Sequence, residues 1–219
     1  MNEIKFQAWP KTPRLNKDMI ITEKIDGTNA CVVIRKAPEG SPYIGEIECL
    51  AGYSGIGEVW FAGAQSRNRL LPMGPKGMDD TEWRKRDNAG FAQWVRDNAS
   101  ALVVTLGEGY HYGEWYGAKI ARKYGLDHRR FALFNVGRYG PMDLSLVPGL
   151  ETVPQLYQGP FDTGDAMDIY HELMETGSRA VPGFMRPEGI VVYHTASRQV
   201  YKVTDAGDAP KWQLKAVAA

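Results

Sequence analysis

Apolar and polar positions divide this chain into many short β-prone runs with fewer helical stretches. MIITEKI and ACVVIRK lie on either side of Asp-Gly-Thr-Asn, so Met19 to Lys36 predicts strand, turn, strand. EIECLAGYSG predicts a further strand ending in glycines, and the Gly- and Pro-rich residues 72–78 a loop. DDTEWRKRDNAGFAQWVRDNAS predicts one helix, capped by Asp79, Asp80 or Thr81, with Phe91, Trp94 and Val95 at helical spacing. ALVVTLGEGYHYGEWYG is expected to begin as a strand, KIARKYG to form a short helix closed by Gly125, and RRFALFNVGRY to be a strand. TGDAMDIYHELMETG predicts a capped helix from Thr163 to Gly177, and EGIVVYHTASRQVYKV two strands around a Ser/Thr turn. Strands outnumber helices without regular interleaving, which argues for an α+β fold with mostly antiparallel sheets.

Composition narrows the function classes. With 43% hydrophobic residues the 219-residue chain can bury a core, and it is expected to form a single domain over residues 1–219. Twenty-six basic and twenty-six acidic side chains cancel, so nucleic acid would have to be gripped through a local patch rather than by bulk charge. Candidate patches are the Arg-Lys-Arg run at 84–86, Arg129 with Arg130, and a basic face of Lys119, Arg122 and Lys123 if their segment is helical. Cys31 and Cys49 sit in apolar runs without metal-ligand spacing and read as small buried hydrophobes. Neither a signal peptide nor an apolar run of membrane-spanning length is visible, so a cytoplasmic protein with no membrane partner is expected. His111, His128, His171 and His194 are scattered and receive no role.

The candidate chemistry starts at EKIDGTN, residues 23–29. Taken alone, Lys24 is either an exposed turn lysine or an amine nucleophile whose reactivity depends on its surroundings. Five further segments follow in order: QSRNRLL with Arg67, GEWYG with Glu114, FALFNV with Phe134, RPEGIVVY with Glu188 and Val191, and VYKV with Lys202. Together with the upstream PKTPRL, this series resembles the covalent nucleotidyltransferases, which comprise the ATP-dependent DNA and RNA ligases and the mRNA capping enzymes. It is most similar to RNA ligases of the phage nick-sealing type, and the likeness runs over nearly the whole chain.

The resemblance implies a ligase-type adenylation domain in which Lys24 attacks the α-phosphate of ATP and expels pyrophosphate. AMP then passes to a 5′-phosphate end, and a 3′-hydroxyl displaces it to join RNA ends, including those of a nicked duplex. It also implies roles for individual residues. Arg67 lies near the ribose and the end to be joined; Glu114 holds the ribose hydroxyls; Phe134 and Val191 enclose the adenine. Glu188 engages Mg2+ or Mn2+, and Lys202 neutralises the α-phosphate. Glu23 and Asn29 complete the nucleotide site, Asn29 through the metal's water shell or an incoming strand. Asp26 is a supporting residue that orients Lys24 or takes its proton. Two departures stand out: Asn135 fills a slot often held by aspartate, and Val200 and Thr204 stand where many relatives place a second lysine, leaving Lys211 or Lys215 to supply it. The 17 residues after Lys202 leave no room for the appended C-terminal domain of relatives. A stand-alone, monomeric domain is therefore expected, sealing alone, with an end-binding protein partner, or stopping at self-adenylylation. A minimal DNA ligase and a non-catalytic nucleotide- or RNA-binding module are the alternatives.

Overall fold

The computed structural model describes residues 4–38, 43–44, 47–48, 58–74 and 79–205. Most of EIECLAGYSG lies outside the described residues, as do Cys49, residues 75–78 of the Gly/Pro-rich segment, Lys211 and Lys215. Among the described residues no helix is long and apolar enough to cross a membrane.

The fold is α+β and consists of two larger sheets with their helices. Strands β1 (Asp18–Lys24), β9 (Gln155–Pro160), β10 (Gly189–His194) and β11 (Gln199–Thr204) form a four-stranded antiparallel sheet in the order β11-β10-β1-β9. Strands β2 (Thr28–Pro38), β5 (Glu58–Ser66), β6 (Gly109–Gly117), β7 (Arg129–Leu133) and β8 (Leu150–Thr152) form the other, ordered β5-β2-β6-β7-β8, in which only the β7–β8 pair is parallel. A two-stranded ribbon pairs β3 (Tyr43–Ile44) with β4 (Ile47–Glu48).

Strand alternation sorts each sheet into a covered face and a cleft face. In the four-stranded sheet Met19, Ile21, Ile190 and Val192 point one way and pack on Ala166 and Leu173 of α5 (Thr163–Thr176). That helix is capped by Asp162, whose carboxylate accepts from the backbone N–H groups of Gly164 and Asp165, and it is closed by Gly177 at φ 88°. In the five-stranded sheet Ala30, Val32, Ile34, Trp115 and Phe131 face α2 (Phe91–Asp97) and α3 (Ala99–Leu106). A third cluster, Ile25, Tyr116, Tyr124, Ala132 and Val153, joins the sheets and floors the space between their remaining faces.

Several expected elements differ. β1 and β2 do not form a hairpin: the chain leaves one sheet after Lys24 and enters the other at Thr28. The single helix expected over residues 79–100 is broken into α1 (Asp80–Arg86) and α2, with α3 beginning only at its end, because α1 ends at Asp87 and Gly90 restarts the chain at φ 78°. ALVVTL is not a strand but α3, whose buried Ala99, Leu102, Val103 and Leu106 follow helical spacing. The helix expected at KIARKYG is absent; Lys119, Ala121, Lys123 and Tyr124 all have positive φ and form a coiled turn that buries Ile120 and Tyr124. β7 ends at Leu133, and FNVGRY turns into the short helix α4 (Val136–Tyr139).

Candidate active site

Register places the sequence-selected residues. On β1 and its neighbours, Lys24 lies opposite Gly189, Thr22 opposite Val191, and Val191 opposite Lys202. Opposed residues in an antiparallel ladder share a face, so Lys24, Val191 and Lys202 all lie on the side away from α5. Across the cleft Asn29 is the cross-strand partner of Glu114. Arg67 is exposed in the turn just after β5, one residue beyond the Ala30–Ser66 pair that ends the β2–β5 ladder near Asn29. Phe134 is 40% exposed and donates its backbone N–H to Tyr112 O at 3.0 Å, which aligns it with the row next to Glu114.

Lys24 Nζ donates to Glu188 Oε2 at 2.6 Å, with Lys24 25% and Glu188 14% exposed. The amine is thus turned into the cleft and held by a carboxylate 164 residues away in sequence. Glu114 accepts from the backbone N–H of Gly27 at 3.1 Å. Burial pushes its carboxyl up to about 7, Glu188 and Asp26 add to the rise, and the Lys24 ammonium and the Gly27 N–H oppose it. Lys24, Asp26, Glu114 and Glu188 therefore form one electrostatic group.

Gly27 makes this approach possible. A Cβ there would lie 2.4 Å from the carbonyl oxygen of Trp115 and 2.8 Å from Tyr116 Cβ. Only glycine lets the crossing chain lie flat on β6 beside Glu114. Gly189 has the same kind of role beside Lys24: its φ is 147°, and a Cβ would fall 2.0 Å from Val203 O.

Glu23 is not in the cleft. It is 1% exposed and points to the face opposite Lys24, where its carboxylate accepts from Ser178 Oγ at 2.6 Å and from the backbone N–H groups of Arg179 and Ala180 at 2.7 and 2.9 Å. Its side chain braces β1 against the 178–180 loop, so the expectation that it contacts nucleotide is corrected for the carboxylate. Asp26 is likewise turned from Lys24 towards Arg122, whose Nε donates to it at 3.1 Å.

Arg122 is the residue that motif reading missed. Its guanidinium also donates to both carboxylate oxygens of Asp205, at 3.1 and 2.9 Å, and to the carbonyls of Arg186 and Pro187 at 3.0 and 3.2 Å. One side chain thus ties the Lys24–Gly27 crossing to the segment before Glu188 and to the end of β11 beyond Lys202. The predicted basic face of Lys119, Arg122 and Lys123 does not exist, because Arg122 is spent on these internal contacts. The only sequence signal for this was a carboxylate at Asp26 in need of a partner.

The remaining titratable candidates are structural. Burial pushes the Cys31 thiol up to about 12 and the imidazole of His111 down to about 4; that ring is held between Tyr139 Oη and the carbonyl of Gly107. Among the described residues no three His, Cys, Asp or Glu side chains cluster so as to hold a metal by themselves.

Comparison with known proteins agrees with this fold. Two Naegleria gruberi RNA ligase structures, one variant without ligand and one with AMP and manganese, match at 13% and 14% identity, each with a TM-score of 0.51. Both alignments cover 87% and about half of the respective chains, so this chain spans about half the length of the structures it matches. At such identity they speak to the fold alone. No curated protein matches in sequence. Residues 17–204, which include every described side chain of the cleft, match the RNA ligase family, and the chain belongs to that family.

Proposed function

We propose that this protein is an ATP-dependent RNA ligase that works through a lysyl-AMP intermediate, with Lys24 as the nucleophile. The observation that carries the reading is the Lys24–Glu188 pair at 2.6 Å, set in a cleft whose opposite wall presents Glu114 and Asn29. Nζ bonds to the α-phosphorus of ATP as the bond to the pyrophosphate oxygen breaks. The AMP then moves to the 5′-phosphate of an RNA end, and a 3′-hydroxyl attacks that phosphate and releases AMP.

The chain's own groups divide this work. Phosphoryl transfer asks mainly for alignment and charge neutralisation. Lys24 must leave Glu188 without its proton before it attacks. Lys202, on the same face, faces the charge that builds on the α-phosphate. Glu114 receives the ribose hydroxyls, while Phe134 and Val191, on opposite walls, enclose the adenine; Asn29 and Arg67 lie where the phosphates and incoming end would pass. Glu188 suits a divalent cation that keeps most of its water, since one carboxylate with few protein ligands is how magnesium commonly binds. Magnesium or manganese bound there would add positive charge at the phosphates. An RNA ligase of the same fold is known with AMP and manganese, in keeping with a nucleotide and a divalent cation as ligands of such a domain.

The test is incubation with magnesium and ATP labelled at the α-phosphate. Label should remain on the denatured protein and disappear with Lys24→Ala; absence of label on the wild type, or its persistence in the variant, rejects the reading. GTP in place of ATP separates this chemistry from capping, and nicked duplexes with RNA or DNA at the 3′-hydroxyl side report strand preference.

A further inference from the structure

Beyond Glu114 the cleft face of the five-stranded sheet continues into an aromatic row. Tyr110, Tyr112 and Glu114 alternate on β6 with His111, Gly113 and Trp115, which are buried on the other side. Tyr110 and Tyr112 are each 48% exposed. Their rings are stacked, with centroids 6.2 Å apart and planes 17° from parallel. The guanidinium of Arg35 lies 4.5 Å over the Tyr110 ring. Phe134 is in line with Tyr112 across the β6–β7 ladder, through its 3.0 Å backbone hydrogen bond. The row therefore begins at the candidate adenine site and runs outward to a cation.

Two adjacent, near-parallel, half-exposed rings, one of them backed by a guanidinium, make a continuous aromatic patch on the sheet face, and such patches mark binding surfaces. The partner chemistry follows from what is beside them. Every base offers a flat π-face to a tyrosine ring without regard to sequence, and a cation at the end of the row suits the phosphate backbone. From Glu114 to Tyr110 the strand advances about 13 Å, room for a few nucleotides of a single strand. Arg67 is exposed in the turn that follows the Ala30–Ser66 pair, at the Asn29 end of β2.

We propose that Tyr110, Tyr112 and Arg35 form a stacking platform for an RNA strand entering the cleft beside the nucleotide site. This rests on the ligase reading, which it deepens by locating the polynucleotide. The platform gives a chain with no net charge its local means of holding nucleic acid, and it acts after the lysine has been charged.

The test compares wild type with Tyr110→Ala, Tyr112→Ala, the double variant and Tyr112→Phe. Both rings are half exposed, so truncation leaves the core intact. Affinity for a fluorescein-labelled RNA oligonucleotide, read by anisotropy, should fall by about tenfold for each ring removed and stay near wild type in Tyr112→Phe. Label transfer from ATP to the protein should be unchanged in all four variants, while sealing of RNA ends falls in the order of the affinities. RNA binding that survives the double variant overturns the proposal. So does a parallel loss of label transfer, which would assign the rings to the nucleotide pocket. Failure of the wild type to take label, with RNA binding still dependent on the rings, would remove the ligase reading and leave the platform standing.

Discussion

The two walls of the cleft are built from different chemistry. The four-stranded wall carries Lys24, Glu188 and Lys202, a charged set with Val191 as its apolar element. The five-stranded wall carries aromatic and amide groups, with Glu114, an acid whose carboxyl burial pushes up, among them. One wall is suited to moving charge, the other to recognising flat rings and hydroxyls. Among the described residues they are joined at the Gly27 crossing, the apolar floor around Ile25 and Tyr116, and the Arg122 clip. Catalysis in such a site depends as much on those joints as on the reacting groups.

The joint at Gly27 offers the strongest way to break this division. In Gly27→Ala the new methyl meets backbone on β6, which cannot move as a flexible side chain would. We expect a loss of about 3 kcal/mol in urea unfolding and little lysine labelling even where the variant is folded. A variant as active as the wild type would mean that the walls need not approach so closely.

Arg122 comes next. Its removal leaves Asp26, Asp205 and two carbonyls without this donor, and charge-assisted bonds of this kind are worth roughly 1.5–3 kcal/mol when buried. Arg122 is one-quarter exposed, so about 2 kcal/mol is expected for Arg122→Ala. Arg122→Lys keeps the charge but not the planar fork. If the clip positions the site, this variant should label Lys24 about tenfold more slowly with an unchanged KM for ATP. Stability loss with an unaltered rate would reduce Arg122 to a structural strut.

Glu114→Gln gives the smallest effect and the sharpest one. The folded-state value near 7 lies above the ordinary 4.5, so burial favours the protonated acid. That contribution is fully present below pH 4.5 and is lost as pH rises through 7. Glutamine keeps an acceptor for the Gly27 N–H and does not ionise. Relative to wild type, the variant should gain about 1 kcal/mol in thermal unfolding between pH 5 and pH 8, while its labelling falls because the ribose loses a carboxylate. A pH-independent difference would show that the Glu114 carboxyl is not held up by its surroundings.

Legibility differed between the walls in the same way. On the lysine wall β1, β10 and β11 were readable because they are short, apolar and bounded by glycine or a turn, and Lys24, Glu188 and Lys202 stood out on or beside them through the motif series that the chain shares with RNA ligases. α5 was readable from its caps. The helices behind the other wall were not. In ALVVTL, β-branched residues imitate a strand, yet Ala99, Leu102, Val103 and Leu106 are buried at helical spacing once packed on the sheet. KIARKYG has the composition of a helix, but Tyr124 Oη accepts the Asp26 N–H at 2.8 Å, and the turn is shaped around that contact. β5 and β9 went unread because their pairing partners, β2 and β1, are distant in sequence. Tertiary contacts decided these elements, and a single sequence does not print them.

Glu23 and Lys24 are neighbours in the chain, yet one is sealed against the 178–180 loop and the other opens onto the cleft. Changes in salt, nucleotide or cation can therefore reset the lysine while its neighbour stays locked to the loop at 178–180. The amine is free to change partners because the residue before it never does.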